Sequence, residues 1–240
     1  MKWIKCIIAW LLLPAVWSSL HFGTLLLSQA SRNLQANEWT ILIAFGGGVV
    51  CWIILFFVLP RPTWVYVFGH ELTHAIAVWL SFGQVHEFKI GKTGGQVVAS
   101  KSSAFIALAP YLIPLYPLLA GLAWCGAVYF WPNRLMPYET YFWVFWGICW
   151  GFHFCFTASV LKTEQSDFSS QGYFFSFVII FLCNLWMILF LIWAWRHPWT
   201  WGQGGNIFYQ MVLNDYRSTG ACLEKGWQMG TEFIQAKTGL

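Results

Sequence analysis

Long, nearly charge-free apolar runs dominate this sequence and leave few folds open to it. A helix needs about 20 mostly apolar residues to cross the hydrocarbon core of a bilayer. The chain offers such stretches six times, over residues 6–28, 39–59, 64–82, 104–131, 141–161 and 172–195. Across all 240 residues 58% are hydrophobic and only 9% charged. A soluble domain of this length has too little interior volume to hide so much apolar surface. The same figures exclude disorder, collagen and a coiled coil. The expected fold is an all-α polytopic membrane protein of about six transmembrane helices, in contact with the lipid bilayer along most of its length.

Punctuation supports that division. Pro60-Arg61-Pro62 ends the second run, because proline cannot continue a helix. Residues 83–103 are polar, carry Gly94-Gly95 and alternate over 95–100, which predicts a short β-hairpin directly after the third run. Pro110, Pro114 and Pro117 break the first half of the fourth run. Irregular backbone at membrane depth is tolerated only where protein or a wet cavity covers it. Lys2 and Lys5 precede the first run, but no small-residue cleavage site follows it, so it reads as a retained helix. Residues 1–196 form the membrane domain, with its core over 64–196. Residues 197–240 form a polar, Gly-rich tail suited to the membrane interface.

The net charge is +4, and the basic residues are scattered, so nucleic acid is not an expected partner. Six of the seven cysteines lie in apolar runs and no C-x-x-C pair exists; they read as small buried hydrophobes.

Ionisable side chains at the centre of a membrane helix cost at least about 2.5–3.5 kcal/mol each on insertion scales, so they mark sites. The third run holds three within five residues, His70-Glu71-Leu72-Thr73-His74. On a helix, residues four apart project roughly 40° from one another and one turn along the axis. Both imidazoles therefore reach one cation, and Glu71 beside them addresses a water on that cation. This is the H-E-x-x-H arrangement of zinc peptidases. Composition alone would produce it about 0.004 times in a chain of this length. Zn2+ is the expected cofactor, with His70 and His74 as metal ligands and Glu71 as the catalytic base.

A catalytic zinc takes three protein ligands and keeps a fourth position for water. Asp167, at the mouth of the sixth run, is the favoured third ligand. His153 in the fifth run and Glu164 near Asp167 are its rivals. Asn184 is the one Asn or Gln in the apolar core of the sixth run. Its amide suits either a substrate backbone or a bond between helices.

Phe68-Gly69-His70-Glu71-Leu72-Thr73-His74-Ala75, set in an apolar run, resembles the motif of the site-2 protease family of intramembrane zinc metallopeptidases, in its branch without a PDZ insert. The Gly94-Gly95 hairpin and the proline-bearing run from Ala104 extend the resemblance over about residues 64–185. It implies that His70, His74 and Asp167 hold zinc and that Glu71 is the general base. It also implies that the hairpin over 84–100, with Gly94 and Gly95, offers an edge to a membrane-protein or peptide substrate. The departure lies at Asp167, which stands in Gln-Ser-Asp-Phe before a helix, where the family carries Leu-Asp-Gly; this marks a divergent branch. A multi-pass protein of a bacterial cytoplasmic membrane is the expected setting. The rival readings are a non-catalytic membrane scaffold, a metal or ion transporter using the same histidines, and a hydrolase acting on lipid.

Overall fold

The computed structural model describes residues 2–91, 94–161 and 166–238. It is an all-α membrane architecture, 82% helical, with one small two-stranded sheet. The helices are α1 (Lys2–Ala30), α2 (Ala36–Val58), α3 (Thr63–Leu80), α4 (Ala104–Leu112), α5 (Leu115–Phe130), the single turn α6 (Pro132–Leu135), α7 (Glu139–Val160), α8 (Ser166–Gln171), α9 (Tyr173–Arg196) and α10 (Trp201–Thr238). Strands β1 (Val85–Ile90) and β2 (Gly95–Ala99) form the expected antiparallel hairpin after the motif helix. Contacts divide the chain into two compact units, Met1–Arg32 with Phe174–Leu240, and Asn33–Tyr173.

Among the described residues four helices are long and apolar enough to cross a membrane: Lys2–Ala30, Ala36–Val58, Pro132–Val160 and Tyr173–Arg196. The bent pair α4 and α5 supplies a fifth, against the expected number of about six. Its two arms meet at 64°, where Pro114 follows the end of α4. The motif helix α3 is not among these spans. It is 18 residues long, about 27 Å at 1.5 Å per residue, and its ionisable groups lower its hydropathy.

In the unit Asn33–Tyr173, α2 and α7 run side by side in the same direction. Phe45 meets Trp146, Trp52 meets Phe152 and Phe56 meets Phe156, so the partners advance together along both helices. Glycines make the approach close. A Cβ at Gly48 would run into the Val144 carbonyl, and one at Gly147 into the Phe45 carbonyl. Two parallel spans require an odd number of crossings between them. Together α3 and the bent α4–α5 pair therefore make one net crossing, not the two that separate runs over 64–82 and 104–131 imply. Buried Ala77, Val78, Ile106 and Ala109 pack α3 against α4. Gly69 lets the Tyr116 ring of α5 approach the middle of α3; a Cβ there would stand 2.8 Å from it.

In the other unit, α1 and α9 also run parallel: Trp10 meets Phe174, Phe22 stacks on Trp186, and Arg196 donates to the Arg32 carbonyl. The tail over 197–240 is largely one helix. Its first half lies antiparallel against α1: Phe208 rests on Phe22, Asp215 accepts from Ser18, and Tyr216 donates to the Leu11 carbonyl.

Candidate metal centre

Three ligand atoms from two distant parts of the sequence meet above α3. His70 Nε2 and His74 Nε2 lie 3.2 Å apart. Asp167 Oδ2, on α8, stands 3.4 Å from the first and 3.5 Å from the second. Among the described residues, His70, His74 and Asp167 form the one group of three such side chains arranged to hold a metal ion. The pairwise distances test which ion fits. A tetrahedral ion with bonds of about 2.0–2.1 Å spaces its donors roughly 3.3–3.4 Å apart, and the observed triangle has sides within about 0.2 Å of that.

Hydrogen bonding also fixes how the rings are turned. His74 Nδ1 lies 2.8 Å from the Ile106 carbonyl oxygen. A carbonyl only accepts, so the hydrogen is on Nδ1, and the Nε2 of the neutral ring is a bare lone pair. Tyr66 Oη, 3.1 Å from His70 Nδ1, holds the second ring in place, and its hydroxyl can serve either tautomer. With the His70 hydrogen also on Nδ1, two lone pairs and a carboxylate oxygen face each other at van der Waals range. That is repulsive unless a proton or a metal ion sits among them. Burial opposes ionisation of Asp167; with a proton on the rings, hydrogen bonds from His70 and His74 and their positive charge hold its carboxyl well below the usual carboxylate range.

The helix α4 explains why these outer contacts exist. In a regular helix the carbonyl of Ile106 would accept from the backbone N–H of residue 110. Residue 110 is proline and has no N–H, so the Ile106 carbonyl is left to His74. The next residue, Tyr111, is fully buried, and its hydroxyl donates to Asp167 Oδ2 at 3.0 Å. Its ring packs edge-on to His70 at 5.2 Å and against Phe168 at 4.6 Å. One proline and one tyrosine on α4 thus orient a ligand from α3 and a ligand from α8. Sequence reasoning missed Tyr66, Pro110 and Tyr111. The prolines were read as helix breakers only, and a tyrosine in an apolar run carries no signal of its own.

Glu71 is buried, 8% exposed, and its side chain lies against the hairpin. A Cβ added to Gly95 would collide with its side chain, so the first residue of β2 sits directly against this carboxylate. Gly94 has no neighbour of that kind. An open cleft of about 430 Å³ contains all four groups, His70, Glu71, His74 and Asp167. Gly95, Gln96, Val97 and Ala99 of β2 form one wall, and Ser166 and Ser170 of α8 lie on another. The volume falls within the usual range of ligand clefts, about 300–1,000 Å³. No β1 residue lines it. Among the described residues β1 is the one strand paired with β2, so the other edge of β2 carries no strand.

The remaining candidates fall outside this group. His153, on α7, lines a separate cavity of about 30 Å³ behind His70, together with Tyr66 and Tyr116. Glu164 lies outside the described residues. Asn184 belongs to the other unit, where its amide donates to the Ile180 carbonyl one turn back in α9. All seven cysteines are free thiols. No family model, no curated protein and no solved structure matches the chain.

Proposed function

We propose that the chain is an intramembrane zinc metallopeptidase of the site-2 protease type, cutting peptide bonds in membrane-protein substrates. The observation that carries this reading is the triangle of His70, His74 and Asp167, with Glu71 on the helix of the two histidines and lining the same cleft. Zinc is the ion whose bond lengths and coordination number suit two imidazoles and one carboxylate while leaving a position for water. Bound there, it would lower the pKa of a coordinated water toward about 7.

The protein groups then divide the work. Glu71 accepts a proton from the attacking water, whose oxygen bonds to the carbonyl carbon of the substrate. As the C–N bond breaks, Glu71 passes that proton to the leaving nitrogen. A substrate helix must unwind first, because its carbonyls are otherwise hydrogen-bonded within it. The free edge of β2 offers the lost backbone partners by strand addition, and it begins at Gly95, against Glu71.

The test combines metal analysis with trapping. Purified wild type is expected to hold about one zinc per chain and His74→Ala none, while Glu71→Gln keeps the metal and retains uncut protein substrate. Zinc present with a trapped lipid would redirect the reading to a lipid hydrolase. No metal in the wild type would end it.

A further inference from the structure

Helix α10 has a face that the surroundings of α1 do not explain. Its segment 208–216 lies beside Leu11, Ser18 and Phe22, the middle of a helix long and apolar enough to cross the membrane. That stretch of α10 is therefore at membrane depth, although its composition is too polar for a span. Around the helix axis its residues sort into three faces. Gly204, Ile207, Phe208, Met211 and Asp215 face α1 and α9. Tyr209, Val212, Leu213 and Tyr216 form an apolar second face. Gln203, Asn206, Gln210 and Asn214 form the third, at spacings of three, four and four, and all four are exposed.

A helix lying in water would carry polar groups over its whole outer surface. Here the outer surface is split, with apolar side chains on one part and amides confined to a stripe about 80° wide. The first suits lipid. The second does not, because an amide in hydrocarbon lacks the partners that water would supply.

We infer that the stripe Gln203–Asn206–Gln210–Asn214 is the contact through which two copies of this chain pair in the membrane. The chemistry selects this occupant. An amide is donor and acceptor at once, so it is complementary to itself. Two copies inserted with the same topology run parallel about a two-fold axis, which brings like residues to the same depth. Gln210 and Asn214 of one copy then meet the same amides of the other, and every donor finds an acceptor. Arg217 follows one turn on, and its long stem carries the charge toward the headgroups on the Lys2 and Lys5 side.

The test uses the full chain reconstituted in phosphatidylcholine vesicles. A photo-cross-linking residue is placed at Gln210 or, as a comparison, at Leu213 on the apolar face. Position 210 is expected to yield an adduct of twice the chain mass, and position 213 lipid adducts only. The double substitution Gln210→Leu and Asn214→Leu makes the segment more apolar, so insertion is not compromised. It is expected to lower the dimer fraction at least tenfold at fixed protein-to-lipid ratio, counted by single-molecule photobleaching. An adduct from position 210 into residues 33–173 of its own chain, into lipid alone, or an unchanged dimer fraction would overturn the inference.

Discussion

The chain carries two aspartates, and comparing their surroundings shows what separates a candidate metal site from helix packing. Each accepts a hydrogen bond from a hydroxyl in its own unit: Asp167 from Tyr111 at 3.0 Å, and Asp215 from Ser18 at 2.7 Å. Both donors are fully buried. The difference lies in what else converges. Asp167 also faces two imidazoles whose outer nitrogens are held by Tyr66 and Ile106, so acceptors accumulate at a point. Around α10 polarity is spread along a stripe of amides that supply their own donors. Convergence of acceptors suits a cation; a stripe of amides suits partners that both donate and accept. One hydroxyl on a carboxylate implies neither.

The sharpest way to break this comparison is to remove a converging ligand. His74→Ala or Asp167→Ala is expected to reduce zinc affinity by more than about 100-fold, the upper end for changes in groups behind the ligands. Asp215→Ala should leave zinc content unchanged. Metal titration against a competing chelator reads all three. Equal losses from both aspartates would mean that the metal signal reports folding and not a site.

Next in size is Tyr111→Phe, which removes one hydroxyl and keeps the ring against His70 and Phe168. Outer contacts of this kind carry about 10–100-fold in metal affinity, and the loss should appear in the dissociation rate of the metal with the helical content unchanged. Pro110→Ala follows. It restores a backbone N–H that competes for the Ile106 carbonyl, so His74 loses part of its restraint. About tenfold weaker zinc binding is expected, together with a straighter, more stable α4. A change in stability with no change in metal affinity would show that the freed carbonyl is incidental.

Legibility from sequence followed the range of the interactions. His70, Glu71 and His74 could be placed because a single turn of helix sets their geometry, and four-residue spacing is visible in the letters. The hairpin was visible for the same reason, through Gly94-Gly95 and the local alternation over 95–100. Asp167 could be named from chemistry but not positioned, since its approach to His74 closes a loop of more than ninety residues. Tyr66 and Tyr111 gave no signal because tyrosine is ordinary in an apolar run. The parallel pairing of α2 and α7 was hidden as well. Hydropathy counts runs, and it does not say that α3 and the bent α4–α5 pair share one net crossing. Mean polarity likewise places the tail at the interface and carries no sign that Phe208, Asp215 and Tyr216 pack against α1.

The smallest expected effect tests the structural half of the comparison. Ser18→Ala deletes the hydroxyl whose one hydrogen is shared between Asp215 and the Pro14 carbonyl one turn back. In water, a bond to a charged acceptor would be worth about 1.5–3 kcal/mol. Between membrane helices the measured average is nearer 0.6 kcal/mol, because the separated helices find other partners for the same groups. A destabilisation of about 0.6 kcal/mol is therefore expected, read by equilibrium unfolding in mixed micelles, with zinc content and dimer fraction unchanged. A cost of several kcal/mol would mean that Asp215 is charged, isolated and dependent on Ser18 alone. The contrast with Asp167 would then be one of degree, and a second cation-binding position near α10 would have to be sought. A small cost leaves the contrast as drawn: one carboxylate built into helix packing, the other set where two imidazoles converge.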